Sequence, residues 1–397
     1  MNKLLVTVLG IVLFTGCGVK EKQNATGLFL KTLISPAKAP SGEPYLFTDE
    51  KGTVYLSWIE RDEKKSILKY SLLAEDQWSK PALIDSGNNW FVNWADFPML
   101  ATNGHEFVAH YLEANEENNH AYDIKLTASQ DGQVWETAEI LHDDGKQAEH
   151  GFVSLLPYGE NFFVAWLDGR NASMEGHDGH RGEMSLRAAM LDKSGKKINE
   201  WELDSRVCDC CQTSAAISVN GPVVVYRDRS DEEIRDMAIV RLIDGQWTKP
   251  KTIHADNWKI AGCPVNGPRV AAQGNKIAMA WFSMPEGKGQ VSIIFSSDGG
   301  ESFGQPIHVE EGNAIGRVDV VMLGEGEAVV SWMEGSTIKA AKVTSDGVKY
   351  TSLTIASSSD SRSSGFPQMT RSDDRLIFAW TDDKDKTIKV ASMKWQE

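Results

Sequence analysis

This chain has few cysteines, fewer cations than anions, and no long hydrophobic run. Its 397 residues include only 5 cysteines, and 56 acidic against 41 basic residues give a formal net charge of −15. That charge argues against a nucleic-acid partner and against general adhesion to anionic membranes. Convincing helical periodicity is also missing, and the longest apolar runs are too short to cross a bilayer as a helix. The lack of helical periodicity favours an all-β protein.

What the sequence does contain is an apolar strand that ends in an aromatic residue, repeated seven times. The strand-ending aromatics are Trp58, Tyr111 (next to His110), Trp166, Tyr226, Trp281, Trp332 and Trp380. A repeat of roughly fifty to sixty residues is typical of one four-stranded β-propeller blade. We therefore predict a seven-bladed propeller with blades at about 41–87, 88–145, 146–206, 207–258, 259–312, 313–359 and 360–397. Six blades is the alternative, if one weak repeat is an insertion.

The last repeat has room for only three strands, so its sheet needs another strand to close the ring. An unpaired sheet edge invites association with other chains. Residues 27–34 (GLFLKTLI) have the composition of an outer strand. We predict that this N-terminal strand completes the last blade, so that residues 27–397 form a single propeller domain.

The start of the chain resembles the signal peptide of a bacterial lipoprotein. A short basic start, an apolar run and two small residues precede Cys17. The resemblance implies that residues 1–16 are removed, that Cys17 carries the lipid, and that polar residues 17–26 form a tether. Because Gly18 follows the cysteine, it also implies outer-membrane sorting in a Gram-negative cell. We expect an extracytoplasmic protein that contacts the membrane through its lipid.

Two turns resemble the Asp-box of the sialidase-like β-propeller superfamily. One spans residues 296–303 (SSDGGESF) and the other, one residue shorter, spans 129–135 (SQDGQVW). Asp and Gly favour a tight turn, and the aromatic packs back between strands. The residues in these structural roles are Ser296, Asp298, Gly300, Phe303, Ser129, Asp131 and Trp135. The resemblance implies the fold but no activity, because such turns occur in propellers of many functions.

Propeller topology sorts the loops onto two faces. The loops that enter each blade and the hairpins between second and third strands share one face, whereas the Asp-box turns lie on the other. The unusual residues fall on the first face, where we expect the function.

The cysteines are the sharpest local signal on that face. Cys208, Cys210 and Cys211 lie in VCDCCQ, and Cys263 lies one repeat later, at the same distance before its strand-ending aromatic. Disulfides are one interpretation, for instance Cys208–Cys263 with a vicinal Cys210–Cys211 bridge. A thiolate site for Cu(I) or Zn(II), completed by His150, His177 or His180, is the second. A free catalytic thiol is the third.

Enzymatic activity on acidic sugars is an alternative to ligand binding. For a sialidase, the family resemblance implies an arginine clamp, a Tyr nucleophile activated by Glu, and an Asp acid. The candidates are Arg227, Arg229, Arg235, Arg269 or Arg317, with Tyr226 and Glu149, and Asp96 or Asp168. None lies in a family motif, and the Arg-Ile-Pro segment of such enzymes is missing. A polysaccharide lyase using His110, His120 or His150 with Tyr111 or Tyr122 is a further alternative.

The prediction is therefore a lipid-anchored, sialidase-like propeller that binds a glycan, a metal or a protein on the face with the cysteines. A glycan-active enzyme is the alternative.

Overall fold

The computed structural model describes residues 20–22, 30–115, 121–172 and 182–395, with only the backbone given for 20–22. These residues are all-β apart from two 3₁₀ turns, Pro285–Gly287 and Arg362–Ser364. No helix in the described part is long and apolar enough to span a membrane. The strands form seven separate sheets.

Two short strands, β1 (Lys20–Lys22) and β2 (Leu30–Leu33), precede the blades. Blade 1 contains β3 (Ser41–Thr48), β4 (Val54–Asp62), β5 (Lys65–Ala74), β6 (Gln77–Trp78) and β7 (Ala82–Gly87). Blade 2 contains β8 (Leu100–Thr102), β9 (Phe107–Ala114), β10 (Tyr122–Ser129) and β11 (Glu139–Ile140). Blade 3 contains β12 (His150–Tyr158), β13 (Asn161–Asp168), β14 (Ser185–Leu191) and β15 (Lys197–Asp204).

Blade 4 contains β16 (Ser214–Ser218), β17 (Gly221–Arg227), β18 (Met237–Ile243), β19 (Gln246–Trp247) and β20 (Lys251–His254). Blade 5 contains β21 (Arg269–Gln273), β22 (Lys276–Ser283), β23 (Gln290–Ser296) and β24 (Ile307–His308). Blade 6 contains β25 (Ala314–Gly324), β26 (Glu327–Glu334), β27 (Thr337–Thr344), β28 (Val348–Tyr350) and β29 (Leu353–Ser357). Blade 7 contains β30 (Gln368–Ser372), β31 (Arg375–Asp382) and β32 (Thr387–Lys394).

The blade count confirms the seven-bladed prediction, and the six-bladed alternative is wrong. Within each blade consecutive strands pair antiparallel, as in the order β12-β13-β14-β15 of blade 3. In blades 1, 4 and 6 the outermost strand is split into two segments that pair with the same third strand. No repeat is therefore an insertion.

The N-terminal segment closes the ring as expected. Strand β2 pairs antiparallel with β32, from Leu30 opposite Met393 to Leu33 opposite Val390, and so becomes the fourth strand of blade 7. Strand β1, from the predicted tether, pairs in parallel with β28 at the outside of blade 6. Both pairings cover sheet edges that would otherwise be open.

Four of the seven repeated aromatics are buried indoles with acidic partners. Trp58, Trp166 and Trp332 are completely buried, and each indole N–H donates to the carboxylate two residues later. The acceptors are Glu60 (3.1 Å), Asp168 (2.8 Å) and Glu334 (3.0 Å), and Trp281 donates instead to Asp256 (2.6 Å). A buried indole N–H needs such a partner, which explains the acidic residue after the aromatic.

The two predicted Asp-box turns are held by their own polar side chains. Ser296 Oγ accepts the Gly300 N–H at 2.9 Å, and Asp298 Oδ1 accepts the Ser302 N–H at 2.9 Å. In the shorter turn Ser129 and Asp131 accept backbone N–H groups in the same manner. Gly300 has a φ of 85°, which disfavours a side chain there.

Strand direction assigns the loops to the two faces. We call the side of the loops entering β12, β16 and β21 the entry face, and the side of residues 129–135 and 296–303 the Asp-box face. Because antiparallel strands alternate in direction, the hairpin between β17 and β18 also lies on the entry face.

An axial cavity of about 840 Å³ runs between the innermost strands. Each blade contributes to its wall, through Tyr45, Met99, Ser154, Ser214, Arg269, Asp319 and Gln368. The lining extends to the exposed Glu50 and Gln273 in hairpins on the Asp-box face. The cavity therefore opens away from the entry face.

Ring closure by β2 gives a stability prediction. Leu33 is 5% exposed and packs in the core shared by blades 1 and 7, whereas Leu30 on the same strand is 39% exposed. Leu33→Ala should lower the free energy of unfolding by about 2–5 kcal/mol. Leu30→Ala, the matched control, should lower it by about 0.5 kcal/mol or less. Urea unfolding measures both, and equal losses would show that β2 does not close the ring.

Candidate functional site

Three thiols of blade 4 cluster on the entry face, and a fourth from blade 5 interacts with one of them. The Sγ atoms of Cys208, Cys210 and Cys211 all lie within 4.8 Å of one another, and Cys208 Sγ is 3.4 Å from Cys211 Sγ. The Cys263 thiol, from the loop entering blade 5, is close enough to Cys210 for that thiol to lower its pKa to about 7, but it lies outside the cluster of three sulfurs. Cys208 and Cys211 are buried, and Cys263 is exposed. The cysteines of blades 4 and 5 therefore lie near one another, and the main interaction of Cys263 is with Cys210.

The backbone on both sides fixes the cysteine turn. Before it, Val207 forms a bridge with Asp228, and the Cys208 N–H donates to the Arg227 carbonyl at 3.0 Å. After it, the Gln212 side chain donates to the Ala95 carbonyl at 2.6 Å and accepts the Gly267 N–H at 2.8 Å. Gln212 thus joins the entry segments of three blades.

Gly267 allows the two cysteine segments to approach. A Cβ at this position would lie 2.1 Å from the Gln212 carbonyl oxygen, a contact that backbone atoms cannot relieve cheaply. The glycine brings the loop that carries Cys263 against the turn that carries the other three cysteines.

Positive charge and thiol hydrogen bonds stabilise a thiolate at Cys208. The pKa of Cys208 lies well below its ordinary value because the thiols of Cys210 and Cys211 donate to its sulfur and because Arg227 and Arg235 are near. Arg235 Nη1 donates to Cys208 Sγ at 3.0 Å. Hydrogen bonding to Cys208 raises the pKa of Cys210, and burial raises that of Cys211.

The separation of the Cys208 and Cys211 sulfurs suits shared binding of a metal ion better than a disulfide. A disulfide requires sulfurs about 2.05 Å apart, and all four described cysteines are free thiols. Tetrahedral zinc with Zn–S bonds of about 2.3 Å places its sulfurs roughly 3.8 Å apart. The 3.4 Å between Cys208 and Cys211 is close to that value. The structure thus shows no bond for the predicted Cys208–Cys263 and Cys210–Cys211 disulfides.

His150 belongs to a different cluster, not to the thiols. Its ring stacks on His142 with centroids 3.5 Å apart, and its Nε2 lies 3.2 Å from Asp144 and 3.7 Å from Asp168. His142 lies 2.6 Å from Asp144 and 3.3 Å from Asp123. The predicted role of His150 as a ligand beside the cysteines is therefore wrong. His177 and His180 lie outside the described residues, as does Cys17.

The Asp168 carboxylate of this histidine cluster already accepts hydrogen bonds from other protein side chains. Arg170 holds Asp168 through two hydrogen bonds of 2.8 Å, and Trp166 donates to the same carboxylate. Despite burial, these hydrogen bonds and the nearby His150 keep the pKa of Asp168 below its ordinary value. This pattern indicates a structural network of ion pairs.

The candidate clamp arginines are bound by the protein itself. Arg227 donates to the carbonyls of Arg235, Asn266 and Phe282, and Arg317 donates to those of Asp360, Ser361 and Gly365. Arg229 is paired with Asp209 and Glu233. The ion pair between Arg229 and Glu233 lies within the hairpin between β17 and β18.

Tyr226 and Asp96 are also engaged within the core. The Tyr226 hydroxyl donates to Asp204 at 2.6 Å, and burial together with the Asp204 charge raises the pKa of Tyr226. Asp96 is 6% exposed, accepts the Phe152 N–H at 2.7 Å, and has its pKa raised by burial to about 7. In this arrangement Tyr226 is paired with Asp204 rather than activated by Glu149.

A second concave feature of the entry face lies between blades 1 and 7. This pocket, of about 640 Å³, includes Glu43, Arg61, Trp94 and Arg362 in its lining. Glu43 has a φ of 53°, and Arg61 donates to its Oε1 at 2.9 Å. Its Oε2 is buried without a hydrogen-bond partner in the described chain, and burial raises the pKa of this carboxyl. We call this feature the Glu43 pocket.

Sequence reasoning missed three features of this face: His142 with Asp144, Gln212, and Glu43. The spacing of His142 and Asp144 in LHDD was a local signal, because a histidine two residues before an acid recurs at His254 and Asp256. Gln212 and Glu43 gave no such signal, since their partners are distant in the sequence.

Comparisons with known proteins show the fold. No family model matches the chain, and no curated protein matches its sequence. Among solved structures, a mutant α-L-arabinofuranosidase from Fusarium graminearum with an iminosugar inhibitor is 14% identical, with 92% of this chain and 97% of that chain covered and a TM-score of 0.50. NanB sialidase from Streptococcus pneumoniae is 12% identical (92% and 70% covered, TM-score 0.45). A PL25 ulvan lyase is 13% identical (77% and 79% covered, TM-score 0.47).

The bridge made by Gln212 gives a prediction for the thiol cluster. Gln212→Met keeps the side-chain length but leaves the Ala95 carbonyl and the Gly267 N–H buried without partners, which should cost about 1–3 kcal/mol for each group. It should also separate Cys263 from the other thiols, so that the Cys263 thiol reacts faster with a disulfide reagent. Urea unfolding and thiol-labelling rates measure the two effects.

Gln133→Met, at an exposed position, is the matched control. It should change neither the free energy of unfolding nor the labelling rate of Cys263. Unchanged labelling in Gln212→Met would show that Gln212 does not hold the cysteine segments together.

Proposed function

We propose that this chain is a lipid-anchored extracytoplasmic propeller that binds a thiophilic metal ion, Cu(I) or Zn(II). Its ligands are Cys208, Cys210, Cys211 and Cys263. The observation that carries the proposal is the cluster of the Cys208, Cys210 and Cys211 sulfurs within 4.8 Å, with Cys263 of the next blade interacting with Cys210. Thiolate ligands select Cu(I) and Zn(II) over harder ions.

The surroundings of the thiols support metal binding. A metal ligand must be a thiolate, and the two arginines beside Cys208 favour that form. Burial of Cys208 and Cys211 keeps water from two of the ligands, whereas the exposed Cys263 gives the ion a route in and out.

The location rests on the N-terminal resemblance to lipoproteins, with Cys17 as the lipidated residue. The Asp-box resemblance supports a sialidase-like scaffold that carries the metal site. Attachment through the lipid would place the propeller outside the cytoplasm, on the outer membrane in a Gram-negative cell.

Metal retention tests the proposal. The full chain, purified in detergent under anaerobic reducing conditions, should retain about one Cu(I) or Zn(II) per chain after dialysis, because four thiolates saturate one ion. Cys208→Ser should retain less than a tenth as much, since it removes the central buried ligand. Cys17→Ser, the control, should lose the lipid but keep the metal. Elemental analysis and thiol titration provide the readout.

Two results would contradict metal binding. One is equal metal content in the original chain and in Cys208→Ser. The other is a metal-free chain without titratable thiols, which would indicate the two disulfides instead.

A glycan-active enzyme remains the second candidate because of the Glu43 pocket. A carboxyl whose pKa is raised by burial can act as a general acid, and Trp94 offers an aromatic surface on which a sugar ring can pack. Arg61 and Arg362 add positive charge suited to acidic sugars.

Hydrolysis assays test this second candidate. Fluorogenic sialosides and acidic polysaccharides should be turned over by the original chain, and Glu43→Gln should slow turnover at least 100-fold, because the amide cannot donate the proton. Glu286→Gln, at an exposed position, should leave the rate unchanged. Absence of turnover across the panel would rule out this candidate for those substrates.

A further inference from the structure

Arg269 differs from the other candidate clamp arginines because its guanidinium makes no hydrogen bond or ion pair with the described chain. It is 7% exposed, and its Nη2 is buried with no hydrogen bond to any described residue. No carboxylate oxygen of the described chain lies within the 4.0 Å of an ion pair. Its guanidinium carbon lies 4.9 Å from the ring centroid of Phe97. A buried cation without hydrogen-bond partners is costly, so such a group usually marks a binding role or a strained site.

Arg269 lies at the wall of the axial cavity, where its guanidinium can reach a bound ligand. Arg269 begins β21, the innermost strand of blade 5, and lines the axial cavity of about 840 Å³. At the entry face, the segment that carries Ala95 crosses toward Gln212, and Trp94 stacks near Phe366. The cavity therefore ends below the entry face, and a ligand would reach Arg269 from the Asp-box face.

Groups on either side of Arg269 complete a polar site. Ser214 Oγ accepts the Val270 N–H at 3.1 Å, so its own hydroxyl hydrogen can be donated into the cavity. Asp319 accepts N–H groups from Val320 at 2.9 Å and Met369 at 2.7 Å, and each oxygen keeps a second lone pair. Arg269 and Asp319 are close enough to interact electrostatically. The site thus offers donors for an anion next to an acceptor for a hydroxyl group.

We propose that the axial channel binds a small oxyanion that also carries a hydroxyl group, such as hydrogen phosphate or an α-hydroxycarboxylate. The planar fork of Arg269 holds two anionic oxygens, and Ser214 donates to one of them. The ligand hydroxyl donates to Asp319. Phe97 covers one face of the guanidinium and leaves its edge for the anion. This site is separate from the thiols and does not depend on the proposed metal function.

Calorimetric titration of the full chain with glycolate, inorganic phosphate and acetate tests the proposal. Glycolate and phosphate should each bind at one site per chain, and glycolate should bind more tightly than acetate because only glycolate carries a hydroxyl. Arg269→Met should weaken glycolate and phosphate binding at least tenfold. It should still fold, because it removes a buried charge without a partner.

Two further variants separate the role of the guanidinium fork from the effect of charge alone. Arg269→Lys retains the charge but not the fork, so it should also weaken binding, and it decides the question if Arg269→Met does not fold. Arg241→Gln removes an equal charge outside the channel and should bind as the original chain does.

Three outcomes would overturn the proposal. They are saturable binding that is unchanged in both Arg269 variants, no saturable binding at millimolar anion in the original chain, and equal affinities for glycolate and acetate. The last result would remove the hydroxyl requirement and with it the role of Asp319.

Discussion

The side-chain amide of Gln212 is the contact on which the arrangement of the entry face depends. It joins the segment leading into blade 2 to the loops entering blades 4 and 5, and it follows directly after Cys211. With Gly267 permitting the closest approach, this contact determines which cysteines meet. The three segments belong to different blades and lie close together only because the blades form a closed ring. The thiol cluster therefore depends on the propeller topology.

The ring itself follows from patterns that are visible in the sequence. Strands with period-two alternation, each ending in an aromatic residue, allowed the seven blades and their approximate limits to be predicted. The closing strand was predictable because the last repeat was one strand short. The indole–carboxylate pairs at Trp58, Trp166 and Trp332 show why the pattern is strong, since burying the aromatic requires an acceptor nearby.

The chemistry of the face was only partly predictable, because it depends on contacts between residues far apart in the chain. The meeting of the cysteines could be anticipated, since Cys208 and Cys263 occupy the same level of adjacent repeats. The partners of Arg227 and Arg317 could not, because backbone carbonyls give no sequence signal. The contacts of His150 with His142 and Asp144 are instead local in the sequence, and the spacing of His142 and Asp144 was the available signal for them. The unpaired guanidinium of Arg269 became apparent only once the other candidate clamp arginines, such as Arg227 and Arg317, were seen to have partners.

The central claim is that the four thiols form one metal site. X-ray absorption at the metal edge, recorded on the full chain loaded with Cu(I) or Zn(II), tests it most directly. The account predicts a first shell of sulfur alone, at about 2.3 Å for zinc. A first shell of nitrogen or oxygen at about 2.0–2.1 Å would contradict it, because the ion would then lie at the histidine cluster or on surface carboxylates.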